Sequence, residues 1–263
     1  NATLPILAAS LLSNEPSTIY NIPLVRDIKT MSELFKILGA RTILDRNKIT
    51  VYPSMINNFK APYELVKTMR ASIYCLGPLI SKYKKAEVSM PGGCAIGLRP
   101  IDQHIKGFKK LGAKISIRHG YIKAKVKNLK GAKIIFDKIS VGATINVLLA
   151  SVYAKGKTIL ENVSKEPEVI DTINFLKSMG AKIKGEGTST LEVFGVKNLK
   201  GVKKYSVIPD RIEAATMILA GVITKGNIIV ENIIPDHLTF FFEKLKETGA
   251  NFKIKKDKVY VYP

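Results

Sequence analysis

One pattern of residues occurs four times along the 263-residue chain and leaves few folds open. An apolar-periodic stretch ends in Gly-Ala at Gly39-Ala40, Gly112-Ala113, Gly180-Ala181 and Gly249-Ala250, so the pattern returns about every 70 residues. Glycine in that place marks a helix C-terminus, because it enters the left-handed region at no steric cost. After each glycine, apolar and polar residues alternate, as in Lys114-Ile115-Ser116-Ile117 and Tyr121-Ile122-Lys123-Ala124. That period of two predicts paired strands with one buried face. The front half of the unit also repeats. A helix rich in small apolar residues precedes a strand in Ala143-Thr144-Ile145-Asn146-Val147-Leu148 with Lys157-Thr158-Ile159-Leu160-Glu161, and again in Ala214-Ala215-Thr216-Met217-Ile218-Leu219 with Asn227-Ile228-Ile229-Val230-Glu231. The unit is helix, strand, helix, hairpin.

A unit of this kind shares its core with its neighbours. Small residues let the first helices pack closely, with the sheets as walls. The expected fold class is α/β (α+β), a closed ring of three units over residues 1–207. Residues 208–263 form the fourth unit, the first of a second, incomplete domain. One unit cannot bury both of its faces, so a longer parent chain is expected. The opening Asn1-Ala2-Thr3-Leu4-Pro5-Ile6-Leu7 has a faint likeness to a secretory leader, but without a positive n-region or an initiator Met. It reads as the interior of a longer chain, with the cytoplasm as the expected compartment.

The formal net charge is +21, which raises the question of an anionic partner. Only seven of the 42 basic residues are arginine, and the lysines are spread along the whole chain in ones and twos. There is no tryptophan and no basic run interleaved with aromatics, so a solvated basic surface is favoured over a nucleic-acid footprint. No apolar run approaches the ~18 residues of a membrane helix. The few arginines are the informative cations, since their planar fork grips phosphate or carboxylate in a way lysine cannot.

The first helices of the four units open at Asn1, Arg70, Ser140 with Val141-Gly142, and Arg211. In a ring, equivalent helix starts face one way, and their free N–H groups make a mouth for an anion. A second candidate is Pro91-Gly92-Gly93-Cys94-Ala95-Ile96-Gly97-Leu98-Arg99-Pro100, which reads as an exposed loop. A thiol there, with Arg99 five residues on, is either a bystander or a group poised to move a proton or form a covalent bond. Cys75 sits in an apolar stretch and reads as core. His104, His119 and His237 lack ligand spacing, so no metal site is expected, and His104 reads as a solvated helix residue.

These residues closely resemble the UDP-N-acetylglucosamine enolpyruvyl transferases. The matching stretches are residues 1–7, 61–72, 91–100, 137–144, 166–168 and 209–213, in the family's order. The resemblance implies an inside-out α/β prism of three repeated units, followed by one unit of a second. It implies transfer of the enolpyruvyl group of phosphoenolpyruvate to the 3-hydroxyl of UDP-N-acetylglucosamine, with release of phosphate and no metal or other cofactor. This is the first committed step of peptidoglycan synthesis. Cys94 matches the proton donor and fosfomycin target. Asn1 and Arg99 match phosphoenolpyruvate contacts, as Cys94 also does. Arg70, Arg99, Pro100, Ile101, Asp102, Gln103, Lys138, Ile139, Ser140, Val141 and Gly142 match contacts to the nucleotide sugar. Glu166, Glu168 and Arg211 match family positions without an assigned role.

The family carries a lysine before the position of Asn1, and its general-base aspartate lies beyond the position of Pro263. A nucleotide-sugar-binding fragment or paralogue without turnover is therefore the alternative reading, with the missing part of the second domain as a partner. A shikimate-pathway enolpyruvyl transferase is the lesser rival, because its sequences lack the Pro-Gly-Gly-Cys loop.

Overall fold

The computed structural model describes residues 1–67, 69–90 and 100–263. It divides into two units, residues 2–207 and residues 208–263 with Asn1.

In the larger unit the repeat is explicit. The first copy runs α1 (Thr3–Ser10), β1 (Ser17–Tyr20), α2 (Arg26–Leu38), β2 (Arg41–Asp45) and β3 (Lys48–Tyr52). The second adds a short strand in front, β4 (Lys60–Ala61). It continues through α3 (Tyr63–Val66), a 3-10 stretch (Arg70–Cys75), α4 (Leu76–Tyr83), β5 (Lys85–Ser89), α5 (Asp102–Lys110), β6 (Lys114–Arg118) and β7 (Tyr121–Lys125). The third is β8 (Lys133–Ile135), α6 (Val141–Ser151), β9 (Lys157–Glu161), α7 (Pro167–Ser178), β10 (Lys182–Lys184) and β11 (Thr190–Phe194), and then comes β12 (Tyr205–Ser206). Gly39, Gly112 and Gly180, at the ends of the second helices, have φ of +98°, +95° and +102°, the left-handed geometry expected of them.

The strands β4, β8 and β12 are absent from the sequence reading. With two or three residues each, they are too short for alternation to be seen. They define the topology nonetheless. β4 pairs in parallel with β5, and β8 with β9, so the first helices of the second and third copies are crossovers between parallel strands. β12 pairs in parallel with β1 of the first copy, Ile19 facing Tyr205 and Tyr20 facing Ser206. The ring of three is thereby closed. Around this seam Thr18 N–H donates to Val202 O (2.8 Å), Asn21 Nδ2 donates to Val207 O (2.8 Å), and the Tyr205 ring meets Phe175 edge-on at 5.0 Å.

The first helices form the core. From Ala143 to Ser151 every residue of α6 is buried, and α1 is nearly so. α4 packs on α6, and an alanine Cβ at Gly77 would come within 2.6 Å of Asn146 O; only glycine permits that approach. At the other end of these helices, Lys82 Nζ donates to Leu11 O (3.1 Å) and Ser13 O (2.5 Å), and Tyr153 Oη donates to Leu12 O (2.7 Å). The carbonyl end of α1 is thus capped from the ends of α4 and α6, where a cation suits the dipole. Burial lowers the Lys82 amine to about 8. The sheets alternate buried and exposed residues, as in β7 and β11. Much of the positive charge lies on their outer faces: Lys85, Lys125 and Lys114 are aligned across three strands, and Glu87 lies between Lys60 and Lys123.

The smaller unit holds α8 (Arg211–Ile223), β13 (Ile228–Val230), a 3-10 turn (Pro235–Leu238), α9 (Thr239–Glu247), β14 (Phe252–Lys255) and β15 (Lys258–Val261). Its core is Ala214, Ile218, Ile233, Leu238, Phe242, Leu245, Val259 and Val261. Gly249 follows α9 at φ +77°. Ile212, Met217, Leu219 and Ile223 on α8 remain exposed, unlike the corresponding face of α6. Among the described residues no helix is long and apolar enough to cross a membrane.

Candidate active site

Cys94 and Arg99 fall in residues 91–99, outside the described residues. The other candidates can be placed one by one, beginning with the start of α5. Pro100 is exposed and Ile101 buried, and Asp102 opens the helix. The Gln103 side chain is buried and its amide is fully engaged. Nε2 donates to Asp102 Oδ2 (2.9 Å) and Asp137 Oδ2 (3.1 Å), and Oε1 accepts from Asp137 N–H (2.9 Å). Lys106 Nζ adds a 2.5 Å bond to Asp137 Oδ1. Lys106, with Gln103, holds the Asp137 carboxyl below the usual carboxylate range.

Asp137 immediately precedes the second candidate stretch. The head of α5 is therefore fastened to the strand-to-helix connection that carries Lys138 and Ile139, both exposed. Ser140 is the N-cap of α6, and its Oγ accepts from Ala143 N–H at 3.2 Å. No hydrogen bond among the described residues takes up the N–H groups of Val141 and Gly142. Donors left over at a helix start suit an anion.

Arg70 opens a 3-10 stretch rather than the α-helix that its place in the repeat implies; the α-helix begins at Leu76. Asn146 is the cause. Its Oδ1 accepts from Gly77 N–H (2.8 Å), and its Nδ2 donates to Ile73 O (2.9 Å). Those two backbone groups would otherwise bond to each other in an α-helix, so the side-chain amide has inserted into the ladder. Pro78, with no N–H, removes the next rung.

The remaining Nδ2 hydrogen of Asn146 faces His104 Nδ1 at 3.1 Å. This corrects the reading of His104 as a solvated helix residue. It is 2% exposed, packed against α6, and burial, aided by the charge of Arg70, lowers it to about 4. Tyr74 shares this neighbourhood. Burial pushes its phenol up to about 12, with Arg70 opposing and Glu168 reinforcing the shift. Glu166 is the N-cap of α7, and its carboxylate accepts from Ser164 Oγ.

Arg70, the start of α5 and the start of α6 are thus brought together around His104 and Tyr74. Asn1 and Arg211 belong to the smaller unit. There Asn1 Nδ2 donates to both Asp210 oxygens at 3.0 Å, and Asp210 caps α8 by accepting from Ile212 N–H at 2.9 Å. The sequence reading missed Asn146, Tyr74 and the role of His104. The available signal was a lone amide within an apolar helix, which must find partners when buried. Among the described residues no cluster of His, Cys, Asp or Glu could hold a metal ion.

Comparison with known proteins agrees with this fold. Two curated relatives are each 50% identical over 98% of this chain. They are the UDP-N-acetylglucosamine 1-carboxyvinyltransferase 1 of Caldanaerobacter subterraneus subsp. tengcongensis and the UDP-N-acetylglucosamine 1-carboxyvinyltransferase of Tolumonas auensis. The chain spans 61% of the length of each. Among solved structures, the enolpyruvyl transferase NikO from Streptomyces tendae superposes with a TM-score of 0.88 at 23% identity, over 100% of this chain and 63% of that one. The EPSP synthase from Acinetobacter baumannii gives 0.74 at 19%, over 99% and 62%. A profile of the family described as EPSP synthase (3-phosphoshikimate 1-carboxyvinyltransferase) matches residues 1–262. The three-unit ring, its closing strand and these matches together place the chain in the EPSP synthase (3-phosphoshikimate 1-carboxyvinyltransferase) family.

Proposed function

We propose that the protein containing this chain transfers the enolpyruvyl group of phosphoenolpyruvate to the 3-hydroxyl of UDP-N-acetylglucosamine. The observation that carries the reading is the fastening of the two proposed nucleotide-sugar stretches. Gln103 and Lys106 tie the Pro100–Gln103 region to Asp137, directly ahead of residues 138–142. The relatives at 50% identity, against 19% for the EPSP synthase structure, favour the nucleotide sugar over shikimate 3-phosphate as acceptor.

In this reading the diphosphate lies at the start of α6, with Arg70 beside it. Arg99 and Asn1 hold phosphoenolpyruvate, and Cys94 gives a proton to its methylene carbon as the sugar oxygen adds to the central carbon. Loss of phosphate from the resulting ketal, together with a proton from its new methyl group, leaves the enol ether. Aligned donors and arginine favour the anionic substrates and the charge that builds up during addition. Fosfomycin labelling with intact mass measurement tests the assignment. The expected result is a single adduct, lost in C94S and formed faster with UDP-N-acetylglucosamine. Labelling of C94S, or no response to the nucleotide sugar, would refute it. UDP-sugar binding with no phosphate release would mark this chain as a binding module.

A further inference from the structure

We propose that the outer face of the sheet β4-β5-β7-β6 is a docking surface for a bilayer that carries anionic lipid headgroups. The three copies of the repeat supply an internal comparison, because each contributes one sheet with an outer face. Ala86, Val88, Ile122 and Ala124 are buried on the inner side of the second sheet, so their neighbours along the strands point outward. Cross-strand partners share a face. The register therefore gathers Lys60, Lys85, Lys114, Arg118, Lys123 and Lys125 on the outer side, with Glu87 as the one acid among these strands. The outer face of the first sheet holds Arg41 and Lys48 against Asp45. That of the third holds Lys133, Lys157, Lys182 and Lys184 against Glu161 and Glu192. The strands of the second sheet thus present a net +5, against +1 and +2 for the other two.

Pairing sharpens the contrast. In the third sheet Lys133 meets Glu161 at 2.8 Å and Lys157 meets Glu192 at 2.5 Å. In the second, Lys60 and Lys123 share Glu87 at 3.6 and 3.3 Å, and among the described residues no acid pairs with Lys85, Lys114, Arg118 or Lys125. Lys85 and Lys114 each lie directly opposite Lys125, a row of three like charges about 10 Å long. Like charges so placed destabilise a sheet, and a facing layer of anions offsets the repulsion. The form of the array selects the anion. Five of the six cations are lysines, flexible point charges rather than forks that grip one phosphate. The nearby aromatic rings are covered: Lys60 Nζ lies 4.9 Å from the Tyr121 ring centroid and Lys85 Nζ 4.3 Å from that of Phe59, so neither offers a platform for a stacked base. All six stand on the strands themselves, so the partner meets a broad face. A bilayer with anionic headgroups suits it. Each basic side chain near such a surface contributes about fivefold to binding, and no spanning helix is required.

The test is cosedimentation of the 263-residue chain with phosphatidylcholine vesicles containing about 30 mol% phosphatidylglycerol. The chain should partition onto these vesicles and not onto pure phosphatidylcholine, and should be released as salt rises from about 0.1 to about 0.5 M. The triple variant K85Q/K114Q/K125Q should bind about a hundredfold more weakly. K133Q/K182Q/K184Q has the same net charge and should stay within about threefold of the unaltered chain, because its charges face another way and are screened. E87Q, which removes the acid, should bind about fivefold more tightly, a gain that a folding defect cannot mimic. Equal losses in the two triple variants, no gain in E87Q, or no partition of the unaltered chain would overturn the proposal. Binding of a single-stranded oligonucleotide that is lost in K85Q/K114Q/K125Q, with the vesicles ignored, would overturn it in favour of nucleic acid.

Discussion

Replacing Gly107 by alanine separates what local propensity favours from what packing forbids. In an exposed helix the change gains about 1 kcal/mol. Here the new Cβ would sit 2.3 Å from Val147 Cγ2 and 3.0 Å from Cγ1, where carbon atoms normally keep about 3.5–4.0 Å apart. Val147 is fully buried, and a β-branched side chain in a helix has essentially one rotamer. The helices must therefore move apart by about 1 Å, and overpacking of this kind costs about 1–3 kcal/mol. The net expectation is a loss of about 1–2 kcal/mol. Val147→Ala alone should cost about 2 kcal/mol for its two methyl groups. The double variant should lose no more than either single one, a coupling of about 2 kcal/mol. Urea denaturation of the four proteins measures this. The functional readout should follow, because Gly107 lies one turn below His104 and Val147 next to Asn146. UDP binding should weaken in G107A and recover in the double variant. A stabilised G107A, or losses additive within about 0.5 kcal/mol, would refute the close packing of α5 on α6.

Three further outcomes are expected. Because His104 is held at about 4 in the folded chain and titrates near 6.5 when unfolded, the unfolded state takes up its proton first. Stability is thus fully present above pH 6.5 and lost as pH falls toward 4, by about 2 kcal/mol between pH 7 and 5 and about 3 in all; the difference between wild type and H104Q in urea titrations across that range measures it. Asn146→Leu should let Gly77 N–H close onto Ile73 O, turning the 3-10 stretch into α-helix and displacing Arg70. UDP affinity should then fall in proportion more than folding stability, by comparison of calorimetric titration with urea midpoints. Burial pushes the Cys75 thiol up to about 12, so iodoacetamide on the native chain at about pH 8 should leave Cys75 unmodified and label it only after denaturation, as peptide mass mapping would show.

The repeat was legible because its punctuation is chemical. Gly39, Gly112, Gly180 and Gly249 occupy the left-handed region whatever surrounds them, and the hairpins after them alternate in period two. The strands β4, β8 and β12 were not legible, since a pair such as Tyr205-Ser206 carries no pattern and acquires its role only from β1. Arg70 was found as a helix head, but not the 3-10 geometry, which depends on an amide from α6. His104 was misplaced for the same reason. Its neighbours in sequence, Asp102, Gln103 and Lys106, are polar and read as a wet face, whereas its burial comes from packing on α6 beside Gly142 and Asn146. The helices' own patterns carry the layout; the wiring between helices lies in single polar residues that local statistics pass over.

The seam between β12 and β1 also sets an order of events during synthesis. The third copy, from β8 to β11, assembles its sheet from residues near one another in the chain, and the second does the same. The first cannot. Its strand β1 keeps one edge bare until Tyr205 and Ser206 have left the ribosome, although its helices and hairpin emerge before those of the other two copies. A bare edge is a template for pairing with other chains, and late long-range pairing slows folding. The first copy is thus the last of the three to be sealed, and a ribosome paused before residue 205 holds a nascent chain with an open flank for a chaperone to guard.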